Sequence, residues 1–421
     1  MSLNLRQLLS NNKNIVSNFS YMAILEILVL ISPLLTYPYL VRVLGSELYG
    51  WVITAQITAS YANILIDFGF NRVSAKHVAA NRDNLGELSK VFSSVTFLRF
   101  MLWIVSFILY MGIVMLIPAY REQLILFLFS YGLTLSSVLF PNFYFQGIEQ
   151  MKHITVINVL TRLVFVLATF LIITRPEQYI YVPLLWSTGY FLGGMYSMYI
   201  IMLRHKIRFV TPSIADYKFH LRETTPIFLS DVMLNVKDKF SYNLMGGMLG
   251  MSDVVIYDVG TKIVNLLTKP TSIFSVVMFP SMSRNPDVKK TKRIMGVLFL
   301  MSILMVAVVY CFLPQIVKLF INEYIDLFPL RIYLMVPLFT GLSYYIPSSV
   351  FVAFGRNRYV LYSTIFSSCS YAVLLLIMWF GGFLTSVMNF IILTVASYFM
   401  ETLFRLFLSY NIFKTHTGNN Q

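Results

Sequence analysis

Apolar runs recur along the whole chain, and no stretch of soluble-domain character longer than about 20 residues interrupts them. At about 20 residues per membrane crossing, the pattern predicts about twelve spans. They cover 15–40, 48–70, 91–117, 123–143, 154–174, 180–202, 223–247, 253–282, 294–317, 327–352, 359–379 and 383–410. Pro118, Pro176, Pro212 and Pro286 fall in the connections, whereas Pro33, Pro226, Pro270, Pro337 and Pro347 fall inside spans and predict kinks.

The pattern is broken hardest between Asp231 and Lys269, where charge sits at a depth that should be hydrocarbon. One span carries Asp231, Asn235, Lys237, Asp238 and Lys239; the next carries Asp258, Lys262, Asn265 and Lys269. The spacing of the second set places all four on one helix face. A lysine at mid-membrane costs roughly 2.5–3.5 kcal/mol on insertion scales, so such residues are kept only where they face protein, water or an anionic ligand. The stripe therefore marks an internal cavity. Lys237 and Lys239 point about 200° apart on a helix and cannot both face it. Lys239 lies nearer the face of Asp231 and Asn235.

Composition agrees with the pattern: 57% of residues are hydrophobic, 12% are charged and the mean hydropathy is +0.72. A soluble domain carries about 25% charged residues, so the chain reads as a polytopic membrane protein with no separate globular domain. The net charge of +14 is informative through its placement. Arg72, Lys76, Arg82, Lys90, Arg204, Arg208, Lys289, Arg356, Lys414 and their neighbours put twenty cations on one side of the alternating loops. The other side has four, Arg42, Arg121, Arg175 and Lys318. The positive-inside rule makes the first side cytoplasmic and places both termini there. This use of the cations removes the reason to invoke nucleic acid. Cys311 and Cys369 lie within apolar runs and suggest neither disulfide nor metal. The first apolar run carries Glu26 and no small-residue cleavage site, and reads as a retained span.

The chain also reads as duplicated. Gly45 and Tyr49-Gly50-Trp51 at the second span match Gly250 and Ile256-Tyr257 at the eighth, and Phe143-x-x-x-Gly147 recurs as Phe351-x-x-x-Gly355. Six spans per half give both halves the same topology, with a boundary between 1–210 and 211–421. The offset carries Lys262 and Lys269 onto Gln56 and Asn63, which share a face with Ser60 and Asp67.

The segments PYLVRVLGSELYGWVITAQITASYANILIDFGFNRVSAKH, FYFQGIEQMKH and VVIYDVG resemble the polysaccharide-transporter branch of the multidrug/oligosaccharidyl-lipid/polysaccharide (MOP) exporters, and within it the bacterial O-antigen flippases called Wzx. The resemblance covers essentially the whole chain. It implies an all-α integral membrane fold, MOP/MATE-like, of about twelve helices in two six-helix halves around a central cavity lined by spans one, two, seven and eight. It implies passage of an undecaprenyl-diphosphate-linked oligosaccharide from the cytoplasmic to the periplasmic leaflet of the bacterial inner membrane. The partners it implies are membrane lipid and the polymerase and chain-length proteins of the same pathway. No cofactor or metal is expected.

Against this background, Arg42, Lys239, Lys262 and Lys269 are expected to form a cationic path for the diphosphate. Glu26, Asp67 and Asp258 are candidates for ion coupling, and Arg72 and Lys76 for the cytoplasmic mouth. Each has a plainer alternative: Asp258 neutralises Lys262 at i, i+4, Asp67 partners a nearby cation, and Arg72 and Lys76 are positive-inside anchors. Arg162, in the body of span five, is costly and has no role in this scheme. Two rival functions remain. A cation-coupled small-molecule extruder of the same fold needs carboxylates in its cavity rather than cations. A membrane-embedded polysaccharide enzyme needs catalytic groups in a substantial loop, and the periplasmic loops are only a few residues long.

Overall fold

A computed structural model describes residues 13–284, 286–321 and 324–418, and the regular structure among the described residues is all helical, with no strand. The long helices are α1 (Lys13–Asp67), α2 (Phe70–Ala80), α3 (Leu85–Leu116), α4 (Met151–Ile172), α5 (Tyr181–Tyr199), α6 (Ile214–Met248), α7 (Met251–Arg284), α8 (Val288–Phe320), α9 (Val336–Ile346), α10 (Arg358–Phe380) and α11 (Val387–Gly418). Helices dominate for a physical reason: with no water in the hydrocarbon layer, each backbone N–H and C=O must be satisfied within its own segment.

Nine described helical stretches are long and apolar enough to cross a membrane. The first of these, Ile24–Ala80, bends at Gly45, whose φ of 79° and ψ of 160° are non-helical, and so holds two crossings. The helix α5, prolonged by Ile200–Arg204, and the charged helix α6 fall outside the nine because their sequences are more polar. With the bend and these two helices counted, the described residues accommodate the twelve expected crossings. Of the prolines within spans, Pro33, Pro226 and Pro314 are carried inside continuous helices, while Pro347 opens a π-helical turn, Pro347–Val352.

The chain divides into two compact units, Met1–Val232 and Met233–Gln421, and the division falls inside α6. In unit 1 the core gathers Phe70, Phe92, Phe143, Tyr144, Phe145, Ile200 and Ile207. In unit 2 it gathers Leu298, Tyr345, Ile346, Val350, Phe351 and Ile412. The polarity is that of a membrane bundle rather than a soluble one. Leu116, Leu171 and Phe380 are about four-fifths exposed, while small hydroxyl residues such as Ser93, Ser106, Ser187, Ser302 and Ser363 are buried. Many return their hydroxyl to a nearby backbone carbonyl, as Ser187 does to Pro183 O at 2.8 Å and Ser302 to Leu298 O at 3.0 Å. Small residues let helices approach closely where lipid supplies no hydrophobic drive between them.

The paired motifs take similar local geometry in the two units. Gly45 and Gly250 both take positive φ, 79° and 134°, a region open to glycine at no steric cost. Across the first bend, Tyr37 and Tyr49 meet edge to face at 4.8 Å and 88°. Across the second, Tyr242 and Tyr257 do the same at 4.9 Å and 83°. All four rings are buried. Phe143 and Phe351, the leading residues of the repeated motif, are fully buried as well. Between spans, Arg82 donates to Glu149 at 2.7 Å, and that bond holds the Glu149 carboxyl below the ordinary carboxylate range.

Candidate functional site

In unit 2 the charged stripe of α7 lies as its spacing requires. Asp258 is buried, Lys262 and Lys269 are half-buried and Asn265 is exposed, while Ile263, Val264 and Leu267 of the same helix are buried in the packing. Lys262 Nζ reaches Asp258 Oδ2 at 2.6 Å, so the plainer i, i+4 alternative is realised in geometry. Yet the Lys262 side chain keeps 30% of its surface accessible against 8% for Asp258, and Asp258 takes a second hydrogen bond from Tyr242 Oη at 3.1 Å. The carboxylate is the anchored partner and the ammonium is the accessible one.

On the second half of α6 the structure separates the two lysines that sequence left open. Lys237 is buried, donating to Glu401 at 2.8 Å and Ser367 at 2.9 Å, with its ammonium 4.2 Å from the Tyr398 ring centroid. Glu401 also holds Arg405 at 2.8 Å, and Arg405 donates to Ser343 O at 2.6 Å. Lys239 remains half-buried on the opposite side of the helix. Asp238 accepts from Tyr398 Oη at 3.0 Å, and Ser241 pairs with Tyr371 Oη at 2.7 Å. This network, buried at Lys237, Ser241, Glu401 and Arg405, fixes the second half of α6 onto α10 and α11. Sequence reasoning missed Glu401 and Arg405. Their i, i+4 spacing inside an apolar span was the available signal.

In unit 1 the carboxylates are likewise occupied. Asp67 accepts from Arg99 at 2.6 Å and Asn71 at 2.7 Å, and Arg99, overlooked in the sequence reading, is almost wholly buried with Phe143 and Phe70 beside its guanidinium. Arg72 pairs with Asp231 at 3.0 Å, and His77 with Glu223 at 2.6 Å. Both contacts join α2 to the first half of α6, where Phe68 stacks on Phe228 at 4.2 Å. Lys76 and Arg42 are exposed. Glu26 is half-buried on α1 and lies within electrostatic range of Arg162. Among the described residues, no group of three or more His, Cys, Asp or Glu side chains could hold a metal.

Comparison with solved structures identifies the fold. An inward-facing multidrug-resistance MATE transporter of the MOP superfamily superposes with a TM-score of 0.70 at 15% identity, covering 91% of this chain and 96% of that one. An outward-facing multidrug-resistance MATE transporter of the MOP superfamily gives 0.66 at 15% identity, over 96% of each chain. A MOP transporter from Pyrococcus furiosus, described as having a binding pocket of reversed polarity, gives 0.64, again at 15% identity and over 96% of each chain. The chain shares the fold of these multi-pass membrane proteins.

Residues 15–286 match the model of the family described as polysaccharide biosynthesis protein, and the chain belongs to that family. Two curated relatives carry the name "Putative O-antigen transporter". The Escherichia coli K12 protein is 23% identical over 285 residues, 68% of this chain and 69% of that one. The Shigella dysenteriae protein is 24% identical over 232 residues, 55% of this chain and 58% of that one.

Proposed function

We propose that the protein flips an undecaprenyl-diphosphate-linked O-antigen or related repeat unit from the cytoplasmic to the periplasmic leaflet of the bacterial inner membrane. The observation that carries the reading is the α7 stripe, where Lys262 and Lys269 stay accessible at membrane depth while the opposite face of the same helix is packed. A diphosphate crossing a low-dielectric region must exchange its hydration for fixed donors, and lysine supplies a point charge with rotatable N–H groups. Lys239 adds a third cation of the same unit. Moderate successive contacts suit the task, because one very tight site would hold the passenger. Asp67, Asp231, Asp258 and Glu401 each hold a cation of their own unit, which favours an anionic passenger over the cationic drug of an extruder. The test is complementation of a flippase-deficient strain, paired with uptake of labelled lipid-linked oligosaccharide into inverted vesicles. Absence of both signals would overturn the reading.

The proposed orientation has both termini in the cytoplasm, with Arg72 and Lys76 at the cytoplasmic mouth. Reporter fusions at Gly381 and after residue 421 are expected to give periplasmic and cytoplasmic signals respectively. A common signal for both overturns the orientation and the six-plus-six division at 210/211.

Glu26 remains the candidate for coupling to a proton or sodium gradient, with Asp67 and Asp258 assigned to their cations. Glu26→Gln is expected to lower gradient-driven transport several-fold at normal protein level. Normal transport under an imposed gradient would rule the role out.

A further inference from the structure

We propose that Arg162, Trp186 and Tyr190 form an oxyanion-binding site within unit 1, distinct from the lysine stripe, that takes a carboxylate or phosphate group borne on a sugar. The Arg162 guanidinium lies 5.6 Å from the Trp186 ring centroid. Trp186 is held flat by Phe165, a buried residue one turn from Arg162, at 3.9 Å and 20°. Tyr190, one turn further along α5, stacks on Trp186 at 5.7 Å and 22°. Arg162, Trp186 and Tyr190 are all half-buried.

What sets Arg162 apart is that it has no carboxylate partner, although Arg99 and Arg405 also keep buried guanidinium nitrogens without an acceptor. Arg99, Arg72 and Arg405 each donate to a carboxylate, at 2.6, 3.0 and 2.8 Å. Among the described residues Arg162 has neither an ion pair nor a hydrogen bond, and its Nε is buried without an acceptor. A cation–π contact engages the face of the ion and leaves the in-plane N–H donors unanswered. The Glu26 carboxylate is near enough to be felt but makes no hydrogen bond to Arg162. A desolvated guanidinium left in this state is a ready fork for a planar or tetrahedral oxyanion, which it grips bidentately.

The surroundings narrow the ligand class. Rigid, amphipathic aromatic rings beside a fixed charge offer a flat surface to the C–H face of a pyranose and polar edges to its hydroxyls. Glu26 acts on the site with the opposite sign, since its carboxylate lies within electrostatic range of Arg162 and competes with an incoming anion for it. Assigning the anion to a transported glycan rests on the flippase reading, whereas anion binding itself does not.

The experiment is a fluorescence titration of the full-length protein in detergent with inorganic pyrophosphate, glucuronate and neutral glucose. A saturable change with at least one anion and none with glucose is expected, and Trp186→Phe should remove the change. Arg162→Gln should weaken the apparent Kd by about tenfold or more and Arg162→Lys by less, whereas Glu26→Gln should tighten it. Opposite shifts from two nearby charges cannot come from a general loss of folding. Response to glucuronate alone identifies an acidic sugar as the source, and response to pyrophosphate alone identifies the diphosphate. The proposal is overturned if neither anion saturates, if Arg162→Gln binds as the parent does, or if Glu26→Gln weakens binding. Intact anion binding with no flipping in vesicles would retain the site and reject the passenger.

Discussion

Replacing Glu401 by glutamine is expected to destabilise unit 2 by about 3–5 kcal/mol, the range for breaking a buried charge pair by removing one partner. The Glu401 carboxylate sits between Lys237 Nζ at 2.8 Å and Arg405 Nη1 at 2.8 Å, with their side chains only 5% and 9% exposed. The Ser367 hydroxyl completes its shell. A neutral amide keeps the shape but leaves two cations facing each other without compensation in a medium that screens them poorly. The penalty is therefore mainly electrostatic, and shape plays a minor part. Ser367→Ala, which removes one hydrogen bond and no charge, should cost about 1 kcal/mol. Lys237→Met on top of Glu401→Gln should recover part of the loss, because only Arg405 then remains unpaired. Thermal unfolding of the purified protein in detergent reads all three variants. A Glu401→Gln variant that melts with the parent would show that the network does not hold α6 to α10 and α11.

The second large effect concerns the stripe, and here the ion pair complicates the obvious variant. Lys262→Gln removes a cation from the proposed path, but it also leaves buried Asp258 with Tyr242 alone. Loss of surface polysaccharide in that variant could therefore report either change. The double variant Lys262→Gln/Asp258→Asn separates them. If Lys262 serves only to neutralise Asp258, removing both charges should restore assembly. If the ammonium meets the passenger, the double variant should stay defective by at least about tenfold in flipping rate, equivalent to ~1.4 kcal/mol. The second outcome is expected, because Lys262 retains nearly a third of its side-chain surface while its partner is buried. Lys269→Gln should be similarly defective, and Lys→Arg at either position should retain part of the activity, since charge is kept while donor geometry changes. Both glutamine variants assembling polysaccharide like the parent would make the stripe structural.

Sequence by itself determined the membrane class, the crossings and the place where charge enters the hydrocarbon. Those features follow from one-dimensional rules: about 20 apolar residues span a bilayer, and lysines spaced by whole helical turns must share a face. The two bends at Gly45 and Gly250 were legible for the same reason, because they depend only on the residue and its neighbours. Local spacing likewise announced the Asp258–Lys262 pair.

Only tertiary structure decided which distant charges meet. Lys237 and Lys239 are two residues apart and equally charged, yet Lys237 is spent on Glu401, more than 160 residues away, while Lys239 stays half-buried. Asp67 is taken by Arg99 and Asp231 by Arg72. These partners lie on other helices, and no local periodicity encodes them. The physical reason is the low dielectric of the bundle: a charge there must find a partner wherever the packing brings one, so a charged residue's role depends on the helices packed against it. Arg162 shows the complement of this rule, as packing gave it an indole face instead of a carboxylate, and that leaves its donors available to a ligand.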